Sequence, residues 1–156
     1  MKIDGKRLDM PPEVIVPIIR EGGEVFFKAG AVLDFKEFDT ICPAPIPPMI
    51  QRKGESSPVP DLTDKKYIAA CENYAKQRTN YMVVKSLSIT EKLEWEKVKI
   101  NDPSTYDKYE EELREAGLNQ IEIGRLITAV MEANGLDEAK IEAAKKRFLA
   151  LKVVQG

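Results

Sequence analysis

Apolar and polar positions follow two rhythms along this chain, and the change of rhythm divides it. Val14-Ile15-Val16-Pro17-Ile18-Ile19-Arg20 is β-branched and apolar, Glu21-Gly22-Gly23-Glu24 interrupts it, and Val25-Phe26-Phe27-Lys28-Ala29-Gly30-Ala31-Val32 follows. Two strand-like runs around a Gly-Gly turn predict a β-hairpin. Pro17 has no N–H to give to a ladder, so the first strand is expected at an edge or bulged there. A lone hairpin is marginal in water, so this one must pack on something. Neighbouring strand residues point to opposite faces. One of Phe26 and Phe27 therefore faces away from whatever the other packs on, and the pair is a candidate contact for a partner, another subunit or the helices.

Asp34 to Glu37 reads as a helix start, with Asp34 as cap and Glu37 reaching back to it. Phe35, Phe38 and Ile41 would share one face, and Pro43 stops the helix by Cys42. From Pro43 to Pro60 the chain places six of its ten prolines. Pro43-Ala44-Pro45-Ile46-Pro47-Pro48-Met49-Ile50 favours extended polyproline geometry, and Gln51 to Ser57 is polar. This segment reads either as a strap over a helical core or as a docking segment, which makes Pro45, Pro47, Pro48, Met49 and Ile50 candidate partner contacts.

The rest has helical rhythm. A long helix is expected from Asp64 to about Ser88, capped at Thr63 or Asp61, with Tyr67, Cys71, Tyr74, Tyr81, Met82 and Leu87 on a broad apolar face. Arg78 interrupts that face, although its aliphatic stem can cover apolar surface. Asn101 to Ser104 is a turn, and the next helix starts with Pro103 at its first position or with Ser104 as cap and Asp107 three residues on. That helix carries Tyr106, Tyr109 and Leu113 and ends at Gly117-Leu118 in a Schellman-like stop. Asn119 caps a fourth helix with Glu122 as its capping-box partner and a stripe of Ile123, Leu126, Ile127, Val130 and Met131. Asn134-Gly135-Leu136 ends it. Asp137 caps the last helix, with Ile141, Ala144, Phe148 and Leu151 on one face. The expected fold is α+β and mostly α: hairpin and short helix over 1–42, Pro-rich strap over 43–60, and a bundle of about four helices over 61–156, all in one domain.

Composition narrows the chemistry. The 156 residues include no histidine, the side chain that titrates near neutral pH and the commonest metal ligand. Cys42 and Cys71 therefore lack a histidine to activate them. They also lack metal-ligand spacing and read as free thiols. Gly22-Gly23 and Gly30 form neither a dinucleotide fingerprint nor a Walker loop. The acidic runs Glu91, Glu94, Glu96 and Glu110-Glu111-Glu112 lie among lysines and read as a solvated face rather than a paired-carboxylate centre. No enzyme, cofactor or metal is expected. No apolar run nears the ~18 residues of a membrane span, and the N-terminal segment resembles no signal peptide, so a cytoplasmic protein is expected.

Net charge is −2, and nucleic-acid binders usually carry a basic balance or stripe. The last two helices still have the layout of a helix-turn-helix. Residues 137–156 hold five basic and three acidic residues, and Lys145, Lys146 and Arg147 cluster. Against DNA binding, Asp137 and Glu138 open the helix that would approach phosphates.

Three phrases carry a resemblance across most of the chain: AVLDFKEFDTICPAPIPP at 31–48, YMVVKSLSITEKLEWEKV at 81–98 and NDPSTYDKYEEELREAGL at 101–118. With the β-rich start and the final helical pair, this layout resembles the tail assembly chaperones of long-tailed bacteriophages. The resemblance implies a non-enzymatic holdase for the aggregation-prone, helical tape-measure protein that also recruits tail-tube subunits. It carries over no residue-level site. The alternatives are a DNA-binding regulator using the last two helices, and a connector or minor structural protein of the virion.

Overall fold

The computed structural model describes residues 1–155, and the expected α+β, mostly helical fold is what it shows. Strands β1 (Val14–Arg20) and β2 (Gly23–Ala29) form an antiparallel hairpin in which Val16 faces Phe27 and Pro17 faces Phe26 across the ladder. Its sheet has only two strands, so Pro17 does sit on an edge strand. The turn is Glu21-Gly22, and Gly23 already belongs to β2 with φ at +132°, a backbone shape that a side chain would strain.

Helix α1 (Lys36–Ile41) follows. Asp34 accepts a hydrogen bond from the Lys36 N–H, but Phe35 is the N-cap and Glu37 does not reach back. Glu37 is drawn instead to the long helix that follows, where its Oε2 accepts from Tyr81 and Lys85. The Pro-rich segment is more ordered than polyproline geometry implies. Strands β3 (Met49–Ile50) and β4 (Val59–Pro60) pair antiparallel and close residues 51–58 into a loop.

Helix α2 (Lys65–Leu87) is capped by Asp64, whose carboxylate accepts from the Tyr67 N–H, rather than by Thr63 or Asp61. Asp61 holds Thr63 in the turn just before it. Only the C-terminal turns of α2 are buried, from Tyr81 to Leu87. Arg78 lays its guanidinium over the Phe35 ring at 4.1 Å, so it continues the apolar face by cation–π contact.

The helix expected from Pro103 has two parts. A 3-10 helix (Pro103–Lys108), capped by Asp102, leads into α3 (Tyr109–Glu115). Both Gly-Leu stops form Schellman motifs. Leu118 N–H donates to Leu113 O at 3.0 Å and Leu136 N–H to Met131 O at 2.8 Å, with Gly117 at φ +98° and Gly135 at φ +69°. Helix α4 (Gln120–Ala133) carries the full Asn119–Glu122 capping box.

Two apolar clusters form the body. In the larger one, the inner hairpin face (Val16, Ile18, Phe27, Ala29) packs on Met82, Val83 and Leu87 of α2, Leu113, Leu118 and the α4 stripe. The smaller is aromatic: Phe38, Tyr81 and Tyr106 meet with ring centroids 5.4–6.5 Å apart, beside Val84 and Val98. Helix α5 (Glu138–Gln155) departs from the expected bundle. Ile141 is half-buried, but Ala144, Phe148 and Leu151, which share its face, are exposed.

Candidate protein-binding site

The hairpin is apolar on both faces. Val16 and Ile18 point inward and are buried, while Ile15, Pro17 and Ile19 alternate with them and point out, beside Phe26 from β2. Ile15 is 58% exposed, Ile19 70% and Phe26 52%, so no part of the described chain covers this outer face. A strand apolar on both sides is the pattern of a sheet covered on both faces. Glu13, Glu21 and Glu24 border the outer face, and none of them has an ion-pair partner among the described residues. Lys28, the basic strand residue on this face, is already held by Glu91 at 2.9 Å, and Arg125 of α4 lies beside Ile15 and Pro17 at one edge of it.

The phenylalanine pair resolves as strand geometry requires: Phe26 lies on the bare face, whereas Phe27 is 7% exposed and belongs to the core. Phe27 is therefore removed from the candidate contacts, because its ring fills space between the hairpin and the helices. In the strap, Pro48 and Met49 are exposed while Pro45, Pro47 and Ile50 are half-buried. Ile46 and Leu62 add exposed apolar surface on either side.

The second uncovered surface is α5. Its last turns carry exposed Phe148, Leu149, Leu151, Val153 and Val154. Lys145 pairs with Glu142, and Lys152 lies 5.0 Å from the centre of the Phe148 ring. Lys146, Arg147 and Lys152 have no carboxylate partner among the described residues.

The acidic runs have structural roles beyond a solvated face. Glu112 accepts from the backbone N–H groups of Glu96 (2.5 Å) and Val98 (2.9 Å), pinning the 93–100 loop to α3. Lys97 bridges Glu111 and Glu115, whose carboxylates hold its pKa above the ordinary lysine range. Cys42 and Cys71 are free thiols, and burial pushes the pKa of Cys42 up, away from a reactive thiolate. The described residues contain no group of three or more potential metal ligands and no helix long and apolar enough to cross a membrane.

A cleft of about 400 Å³ opens between α1, α2 and the 93–100 loop, lined by Val84, Ile89, Trp95 and the Glu37–Lys85 pair. Its walls are mostly apolar, its one charge pair is mutually satisfied at 2.8 Å, and the Ser88 hydroxyl on its wall donates to Val84 O and accepts from Trp95 Nε1. Comparison with protein-family models, curated proteins and solved structures produced no match.

Sequence reasoning missed Ile15 and Ile19 as surface residues and α5 as an unpartnered helix. The signal for the first was present: odd and even positions of β1 are both apolar, so one set had to face away from the helices.

Proposed function

We propose that this protein binds other proteins without turning over a substrate, and that it serves as a tail assembly chaperone of a long-tailed bacteriophage. In this reading it holds the helical tape-measure protein and helps recruit tail-tube subunits. The observation that carries the reading is the bare outer face of the hairpin, Ile15, Pro17, Ile19 and Phe26. A holdase needs apolar surface that its own fold leaves uncovered, and an amphipathic client helix can lay its apolar stripe there. Met49 and Pro48 of the strap extend the apolar surface available to a client. Net charge keeps such a complex soluble.

The test is a tagged pull-down with cross-linking and mass spectrometry in the native producing cell. A long helical tape-measure chain or a tube subunit, cross-linked near Phe26 or Met49, is the expected result. Recovery of the protein only with itself, or with DNA, would remove the reading.

A second reading follows from the exposed cluster Lys145, Lys146 and Arg147: a DNA-binding regulator. Its sign is salt-dependent DNA binding that disappears when those three residues are made neutral. The third, a virion connector or minor structural protein, has presence in finished particles as its sign.

A further inference from the structure

The geometry points to a reciprocal pairing of two copies of this chain, in which α5 of each lies across the outer face of the other's hairpin. The inference does not rest on the tail-assembly reading, because pairing is a property of the pure protein; the two share the outer face of the hairpin, so a client reaches it by displacing the partner's α5.

Three observations carry it. First, the molecule has an unpartnered sheet face and an unpartnered helix, and a helix laid on a sheet face is one of the standard layer solutions. In its last two turns α5 has apolar residues nearly right round, a pattern of enclosed helices, yet Phe148, Leu149, Leu151, Val153 and Val154 are all exposed in the single chain. Second, the charges are opposite. The hairpin face is bordered by Glu13, Glu21 and Glu24, and α5 offers Lys146, Arg147 and Lys152; neither set has an ion-pair partner among the described residues. Third, the lengths fit. The 7-residue strands present about 23 Å of sheet, and the helix from Lys145 onward presents about 15 Å.

The chain's own α5 does not cover its own hairpin. Its start is tied to α4 by the Leu136–Met131 hydrogen bond and the Lys140–Glu132 ion pair, and beyond Ile141 its described side chains are exposed. The N-terminal residues 1–13 do not cover the hairpin either, since Leu8, Met10 and the outer residues Ile15, Pro17, Ile19 and Phe26 remain exposed. A reciprocal exchange between two chains closes on itself, so it yields a dimer rather than a filament.

The test uses the full chain and two charge-reversed variants at exposed positions. One carries Lys146→Glu, Arg147→Glu and Lys152→Glu, and the other Glu13→Lys, Glu21→Lys and Glu24→Lys. Light scattering after gel filtration should give the wild type a mass of twice 17.6 kDa at micromolar concentration. Each variant alone should dissociate, its dimer weakened about tenfold or more by like-charge contact. Mixing the two variants should restore the dimer, because both crossings then regain opposite charges. Circular dichroism checks that the variants stay folded.

Carbodiimide coupling of isotope-labelled with unlabelled wild-type chains should join Lys146 or Lys152 of one chain to Glu21 or Glu24 of the other. The proposal is overturned by a wild type that stays at 17.6 kDa at every concentration, by a dimer indifferent to both reversals, or by couplings confined to one chain. Binding of α5 to anionic vesicles with no pairing in solution would overturn it in favour of a membrane surface.

Discussion

Arg20, the last residue of β1, grips Glu122 in the first turn of α4 through two hydrogen bonds, Nη1 to Oε1 at 2.5 Å and Nη2 to Oε2 at 2.9 Å. The same guanidinium donates to Gly117 O at 2.8 Å, so one side chain ties the end of the hairpin to the α3–α4 junction. Glu122 is simultaneously the capping-box residue, its Oε2 accepting from the Asn119 N–H. It thus joins a local helix signal to a contact between elements 102 residues apart in sequence.

This pairing makes stability depend on acidity in a defined window. The Arg20 hydrogen bonds, with that from Asn119, lower the pKa of Glu122 from 4.5 to about 2. A carboxylate with a depressed pKa contributes stability above its unfolded pKa and loses it as pH falls through its folded pKa. The melting-temperature difference between wild type and Glu122→Gln should therefore be full above pH 4.5 and shrink towards zero as pH approaches 2. Thermal melts of both proteins across that range check it; a constant difference would show that the ion pair contributes nothing.

Asn134 should be among the least replaceable polar residues. Its Oδ1 accepts from Val32 N–H at 2.8 Å, and its Nδ2 donates to Val130 O at 2.7 Å and to the buried Ser86 Oγ at 3.2 Å. Ser86 in turn donates to Gly30 O. Asn134→Leu strands the Val32 N–H at the joint between hairpin, α2 and α4, with an expected loss of about 1–3 kcal/mol. Urea denaturation measures it, and a loss no larger than that of an exposed substitution would show the network to be incidental.

The two adjacent phenylalanines should separate cleanly. Phe27→Ala opens the core and should cost about 3–5 kcal/mol. Phe26→Ala removes an exposed ring and should change stability by no more than about 0.5 kcal/mol, when measured at a dilution that keeps chains single. Equal losses at the two positions would contradict the inward and outward assignment.

Alkaline titration should reveal the aromatic cluster. Burial, aided by Glu37, pushes the phenols of Tyr81 and Tyr106 up to about 12 from an ordinary 10. Because these acids hold their protons longer when folded, the stability they confer is full below pH 10 and is lost as pH rises to about 12. Ultraviolet difference absorbance should show all five tyrosines ionising above the ordinary value, with Tyr81 and Tyr106 coming last, near 12, together with unfolding. Five phenols titrating together near their ordinary value would count against the buried cluster.

Much of the fold was legible before any coordinates. The hairpin, the helix stops at Gly117 and Gly135 and the Asn119–Glu122 capping box are written in residues close to one another, where backbone preference and short-range hydrogen bonding suffice. The misreadings share a cause. Glu37 looked like a capping residue, but Lys85 and Tyr81 from another helix offered it stronger partners. The Pro-rich strap looked extended throughout, but Met49–Ile50 found Val59–Pro60 across a loop. The apolar residues of α5 looked like core, and the helix does form, but a helical pattern says nothing about whether a neighbour is there to receive it.

The sequence by itself determined the element types, most of their ends, and the two-sided apolar character of β1, since these follow from local sterics and the period of side-chain direction. Only the tertiary structure decided which face of the hairpin is buried, that Arg20 meets Glu122, that Tyr81 and Tyr106 share one cluster with Phe38, and that α5 stands uncovered. Those outcomes depend on contacts between distant segments, where the gain comes from excluding water between two surfaces at once, and no single stretch of chain carries that information.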